Sequence, residues 1–281
     1  MKKIILSATL FSSLLLANEP TVAVDQVQLK KDIASAKSEK KAAEGRIKAL
    51  EAQLPSDDRL VTHTELGYIQ TSGNTKTQTF NLDAKAKKGW GKHIGNIMFD
   101  GQYASDNDVE TKNKFVTELT YDYDFTKRFS FNYLAGYKKD RFSGFDNQWY
   151  TGPGAKYKAI VSTIQNLTID GNILYASDTY DATTTPPPPI EGYTNDYMAY
   201  RVKGVYALQV LENLKFDQEL SIRGSFKDAD NYFAFSKSAL SSKISDIFSA
   251  GVSYKVDYSN IPALGKEKTD TTITANLIMD Y

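Results

Sequence analysis

The stretch Thr269-Asp-Thr-Thr-Ile-Thr-Ala-Asn-Leu-Ile-Met-Asp-Tyr281 decides how this chain is read. Ile273, Ala275, Leu277, Met279 and Tyr281 fall on one face of an extended strand, and Thr272, Thr274, Asn276 and Asp280 fall on the other. Ile278 is the single exception. A two-residue apolar rhythm that runs out on an aromatic side chain predicts the closing strand of an outer-membrane β-barrel. In that setting lipid wets one face, and the backbone finds its hydrogen bonds inside a closed ladder.

The other end of the chain agrees. Lys2-Lys3, an apolar run from Ile4 to Leu16 and then Ala17-Asn18-Glu19 predict a secretory signal peptide over residues 1–17. That run is too short to cross a bilayer as a helix. Its removal leaves 32 basic side chains against 34 acidic ones, a nearly neutral chain. Nucleic acid, which needs a basic field, is therefore not an expected partner. No other apolar run approaches a spanning helix, and the mean hydropathy of −0.43 excludes a helical membrane protein. There is no cysteine, so an exported chain must hold together without disulfides.

Residues 18–58 form a segment of their own. Between 22 and 54 the chain is rich in Ala, Lys and Glu, with neither aromatic residue nor proline. Leu29, Ile33, Ala36, Lys40, Ala43, Ile47, Leu50 and Leu54 recur at a 4-3-4-3 spacing, which predicts a periplasmic helix with a heptad seam. Pro55 and Ser56-Asp57-Asp58 end it. The seam serves either self-association or a periplasmic partner; the plainer reading is one amphipathic helix lying against something else.

From residue 59 to 281 the period switches to two and Tyr and Phe become abundant. The pattern predicts strands at 60–70, 76–88, 93–104, 114–125, 129–138, 148–158, 166–177, 197–208, 214–226, 233–244, 248–259 and 269–281, the tenth being the least marked. Twelve is the even number that an antiparallel up-and-down barrel with both ends in the periplasm requires. Connections at 89–92, 126–128, 209–213 and 245–247 read as tight. Those at 105–113, 139–147, 178–196 and 260–268 read as longer, and Pro186–Pro189 cannot pair in a ladder. Tyr123, Phe125, Phe129 and Tyr157 cluster near the tight turns, and Tyr68, Tyr103, Trp149 and Tyr175 near the longer loops, as two aromatic girdles would. A soluble exported β-protein with its apolar faces joined in a core would also alternate. It would not need an even strand count or paired girdles.

With the apolar faces toward lipid, the opposite faces line a lumen. The expected lining is Asp83, Lys85, Lys87, Glu118, Asp122, Lys156, Lys158, Arg201, Lys203, Asp217, Glu219 and Arg223, joined by Glu65, Lys114, Lys138, Asp140, Asp257 and Lys255 among others. Acidic and basic members balance. Such an interior is either a water-filled pore of little selectivity or a set of ion pairs that plug a narrow barrel, and twelve strands lie between these extremes.

Catalytic chemistry is not expected. The two histidines, His63 and His93, fall near strand ends and read as interfacial polar residues. Ser72-Gly-Asn74 and Ser143-Gly-Phe-Asp146 read as turns. Asp106-Asn-Asp-Val-Glu110 starts like a calcium loop, but Thr111 and Thr117 replace its required Gly and Glu. No cofactor fingerprint or metal spacing stands out.

Four segments carry a resemblance. Leu66-Gly-Tyr-Ile-Gln-Thr-Ser-Gly-Asn-Thr-Lys-Thr-Gln-Thr79, Asp140-Arg-Phe-Ser-Gly-Phe-Asp146, Gly152-Pro-Gly-Ala-Lys-Tyr157 and Thr269-Asp-Thr-Thr272 occur in the order seen in the salt-induced outer membrane protein (YdiY-like) family, a family of unknown function. The resemblance implies an outer-membrane barrel whose expression responds to osmotic conditions, and it transfers no catalytic or binding residue. The function expected is a small, weakly selective pore or passive envelope component; the alternative is a closed structural barrel anchoring an interaction helix, and an embedded hydrolase is a distant third. Expected partners are outer-membrane lipid, the barrel-assembly machinery acting on the last strand, and whatever meets residues 22–54.

Overall fold

The computed structural model describes residues 26–51, 60–72, 76–182 and 191–281. The expected signal peptide at 1–17, the ends of the heptad segment with Pro55–Asp58, the turn residues 73–75 and the proline tract lie outside the described residues. The chain divides into two units, Met1–Gln53 and Leu54–Tyr281. The first contains helix α1, Gln26–Glu51. Its described side chains, Ile33 included, are exposed.

The second unit is a closed barrel. Its strands are β1 Leu60–Thr71, β2 Thr77–Trp90, β3 His93–Asp106, β4 Val109–Asp124, β5 Phe129–Asp140, β6 Phe145–Val161, β7 Gln165–Tyr180, β8 Thr194–Leu211, β9 Leu214–Ser225, β10 Tyr232–Lys243, β11 Phe248–Ser259 and β12 Thr269–Asp280. Each pairs antiparallel with its neighbours in sequence, and β12 returns to β1, which closes the sheet.

Closure is narrowest where the ends meet. Thr62 and Tyr281 exchange both backbone hydrogen bonds, at 2.6 and 3.0 Å. The ladder then runs from His63 opposite Asp280 to Leu66 opposite Leu277. Beyond it, among the described residues, β1 pairs only with β2 up to Thr71, and β12 only with β11 back to Thr269.

The terminal strand alternates as its sequence demands. Ile273, Ala275, Leu277, Met279 and Tyr281 face outward and are exposed; Thr274 and Asn276 are buried inside. The exception, Ile278, is 6% exposed and lies over Gly251, where an added Cβ would come within 2.9 Å of its Cδ1. An isoleucine at an inward position thus fills the gap left by a glycine on the next strand.

Several strands run further than the apolar rhythm suggests. The long connection expected over 105–113 is a two-residue turn, with Asn107 and Asp108 at φ 47° and 63°. Asn and Asp tolerate this left-handed backbone, and two such residues give a hairpin turn whose twist matches the strands. Polar composition disguised the strand ends because these residues need no apolar face. Phe145 and Tyr180 likewise extend β6 and β7 past their expected limits, packing ring to ring at 4.5 Å. The tenth strand, the least marked, forms over its full length.

The surface is inside out relative to a water-soluble protein. Ile97, Leu119 and Ala135 lie side by side in register on β3, β4 and β5 and point outward, whereas their sequence neighbour Glu118 is buried. Below this band Tyr123, Phe125 and Phe129 form a chain of ring contacts, and above it Trp149 packs on Tyr175. An apolar belt between two aromatic rims around a polar interior is the surface of a transmembrane barrel. Leu119, 51% exposed at mid-strand, tests it. Leu119→Arg is expected to cost about 2–4 kcal/mol in urea unfolding of the barrel refolded into lipid bilayers; a cost below about 0.5 kcal/mol, usual for a water-facing site, would place this face in water.

Candidate functional site in the barrel lumen

Because β-strand side chains alternate, every second residue of the wall points into the lumen, and the lumen is where chemistry-bearing groups converge. Two features decide what it can do: how its charges pair, and how far apart around the wall the partners stand.

On one side, Lys237 of β10 is a hub. Its Nζ donates to Glu65 Oε1 at 2.6 Å and to Asp83 Oδ2 at 2.8 Å, reaching strands three and four places away. Asn276 Nδ2 donates to the other Glu65 oxygen at 2.7 Å. His63 sits between Glu65, at 3.0 Å, and Asp280, at 2.6 Å. Expected as an interfacial polar residue, His63 also clasps the β1–β12 seam, because residues 63 and 65 share the inward face. Lys255 pairs with Asp100, again four strands away.

On the other side, Arg201 of β8 reaches Glu118 of β4 at 3.0 Å, and Tyr150 donates to the same carboxylate at 2.6 Å. Lys114 of β4 meets Asp257 of β11, five strands away, at 2.6 Å. Partners that stand four or five places apart in a twelve-stranded wall face each other across the interior. These pairs cross the lumen.

Other pairs run along the wall. Lys156 bonds Asp122, Lys158 lies 3.4 Å from Asp124, and Lys203 lies 2.6 Å from Glu219. Arg223 reaches Asp178 at 3.2 Å, where Gln148 and Tyr197 also donate. Of the expected lining, then, Asp83, Glu118, Asp122, Lys156, Lys158, Arg201, Lys203, Glu219 and Arg223 are brought into ion pairs. Lys85 is only 4.0 Å from Asp83, Asp217 pairs with half-exposed Lys215, and Lys87 is exposed.

The interior is not polar throughout, and here the expectation fails. Leu134, Leu174, Ala176 and Ala199 point inward on β5, β7 and β8 and are fully buried with Tyr150 and Tyr197. The ring of Tyr150 occupies the space over Gly136, its register partner, where any Cβ would collide with it. One sector of the lumen is packed with side chains rather than wetted.

Two central residues escaped the sequence reading. Lys237 lies on β10, where the apolar phase is inverted: Phe233 and Phe235 face inward, and Ser236 and Ser238 face outward, bonded to Gln218. Asp178 was assigned to a loop. A lone lysine flanked by small residues, bracketed by inward phenylalanines, was the signal available for the first.

His93 does lie on the outer girdle, between Trp90, Tyr121 and Tyr123. Asp106–Glu110 is spent on the hairpin turn.

The family described as "Protein of unknown function, DUF481" matches residues 64–281. The Escherichia coli (strain K12) protein named uncharacterized protein YdiY is 25% identical over 217 residues, covering 75% of this chain and 79% of that one. Among solved structures, a NanC porin is 10% identical with a TM-score of 0.43, covering 78% of this chain and 96% of its own. The translocator domain of the autotransporter NalP from Neisseria meningitidis is 12% identical with a TM-score of 0.46, covering 88% and 97%.

The hub makes a sharp expectation. Lys237→Met removes the lysine that Glu65 and Asp83 share, leaving Glu65 only His63 and Asp83 only Lys255 and Lys85, at 3.8 and 4.0 Å, and is expected to lower stability by about 3–5 kcal/mol in chemical unfolding of the refolded barrel. Lys243→Met on the same strand, which breaks only the exposed pair with Asp246, is expected to change it by less than about 1 kcal/mol. Equal effects would show that the hub is not a buried charge centre.

Proposed function

Since the chain belongs to the family of proteins of unknown function DUF481 and its lumen is crossed by buried ion pairs, we propose that it is an outer-membrane barrel with a constricted, weakly selective lumen. It acts as a passive, non-enzymatic envelope component. The observation that carries this reading is the set of cross-lumen pairs: Arg201 to Glu118, Lys237 to Glu65 and Asp83, Lys114 to Asp257, and Lys255 to Asp100. Each must break before a solute larger than water or a small ion passes. Opening is costly, because a buried charge parted from its partner loses several kcal/mol. Paired charges of both signs also leave no net field to select anions from cations. The link to osmotic or salt adaptation comes with the family resemblance and belongs to this proposal: a tight lumen limits solute flux through an envelope under osmotic load.

An apolar belt with aromatic rims around a closed β-strand wall supports the outer membrane as its site. The barrel-assembly machinery, recognising β12, is the partner proposed for insertion. The exposed side chains of α1, with Ile33 among them, support the second reading kept from the heptad spacing, in which residues 22–54 associate with themselves or with a periplasmic protein while the barrel serves as anchor.

Planar-bilayer recording of the refolded chain tests the main reading. The native protein is expected to give steps far smaller than those of an open porin, with little ion preference. Replacing Glu118 and Arg201 together by Ala, which removes one crossing pair without stranding a charge, is expected to raise the unitary conductance severalfold. Large, stable native conductance, or no change in the double variant, would overturn it.

A further inference from the structure

Between the crossing pairs and the loops that follow β5 and β11 lies a cavity of about 400 Å³, lined by residues of ten strands and roofed by Phe142, Pro262 and Lys266. Pockets for small molecules begin at about this size. We propose that it binds a small organic anion with a flat apolar body, of the aromatic-carboxylate class.

The charge pattern of the cavity supplies the first argument. Three of its inward basic side chains are already neutralised: Lys114 by Asp257, Arg201 by Glu118, and Lys237 by Glu65 and Asp83. Two others on the strands are not fully partnered. Lys138, which lines the cavity from β5, has no hydrogen-bond or ion-pair partner among the described residues. Arg223, 8% exposed, gives one guanidinium nitrogen to Asp178, while its Nη1 is buried with no partner. Lys138 lies within electrostatic reach of Lys114 and Arg223, and also of the carboxylates Asp257 and Asp140. Of the three cations only Lys114 has a full ion-pair partner, and Arg223 gives only part of its guanidinium to Asp178. An anion placed among them satisfies both free donors and relieves the repulsion.

The apolar walls supply the second. The Arg223 guanidinium is held between the rings of Tyr150 and Phe233, at 4.8 and 4.7 Å from their centroids, and Phe145 packs against Phe233 at 6.0 Å. A flat ligand finds aromatic surface on the same side as its charge partner.

One carboxylate competes. Asp140, two residues along β5 from Lys138, faces the same cavity without a cation at pairing distance; its Oδ1 accepts the Phe142 N–H at 3.2 Å. It fixes the turn roofing the site and opposes anion binding, which makes it a useful control. Asp83 also faces the cavity: its Oδ2 meets Lys237 and Lys255, and its Oδ1, which accepts no hydrogen bond, lies 4.0 Å from Lys85.

This inference goes beyond the pore reading, because the cavity can fill whether or not the lumen conducts. The test is ¹⁹F NMR titration of the full chain, refolded in detergent micelles, with 4-fluorobenzoate as probe and 4-fluorobenzylammonium as the opposite charge. Saturable binding of the carboxylate and not of the ammonium ion is expected. Lys138→Met is expected to weaken it at least tenfold and Asp140→Asn to strengthen it severalfold, with far-ultraviolet circular dichroism confirming that each variant is folded. Linear partitioning that is the same in every variant, equal binding of the cation, or unchanged affinity in Lys138→Met would overturn the proposal. Should Lys138→Met fail to fold, the charge preference of the native chain and the response of Asp140→Asn decide it. Bilayer conductance is recorded separately, so a failure here is distinct from a failure of the pore reading.

Discussion

The pairing of β12 with β1 is the constraint on which everything else rests. In hydrocarbon a backbone N–H or C=O has no water to turn to, so a sheet survives there only if its two edges bond to each other. Once Thr62 meets Tyr281 and Leu66 comes opposite Leu277, inside and outside are defined. Alternation then sends most leucines, valines and tyrosines of the wall one way and most aspartates and lysines the other, with Leu134, Leu174, Tyr150 and Tyr197 as inward exceptions. The charged lumen follows from closure and would have no meaning in an open sheet.

Closure also explains why the interior is bridged. Twelve strands enclose a space that long side chains can span but that is too wide to be filled by small ones. Lysine and arginine reach across it, and carboxylates on far strands receive them, as Lys114 and Asp257 do. Where the chain places Gly136, Leu134 and Leu174 instead, the lumen fills by packing, with Tyr150 folded over the glycine. The two solutions meet on β5–β8, where Tyr150 and Tyr197 belong to the packed cluster and also donate to Glu118 and Asp178.

The fold was legible in the sequence because lipid leaves a strict mark: eleven strands show their apolar period, and Ile278, the one residue out of step on β12, has a glycine to cover. β10 was faint because its outer face carries Ser236 and Ser238 and its inner face Phe233 and Phe235, so the usual contrast is reversed. The strand ends at Ser105–Glu110 were hidden because they rise beyond the apolar band and lose the rhythm while keeping the ladder. Charged lining residues could be enumerated from alternation, but not matched. Which lysine meets which aspartate depends on the stagger of the closed wall, and no local pattern around Arg201 points to Glu118, 83 positions earlier. Asp178 and Lys237, the two best-connected groups missed, lie where a strand ran longer or fainter than its composition indicated.

The short seam has a consequence for how such a wall yields. Along every other junction the ladder runs nearly the length of the strands, but β1 and β12 are laced only from Thr62 to Leu66, with His63 fastened to Asp280 beside the lacing. A stave held by so few rungs is the first to part under lateral strain, starting where Tyr68 to Thr71 and Thr269 to Thr274 share no rung. Among its junctions, the barrel has one built-in hinge line.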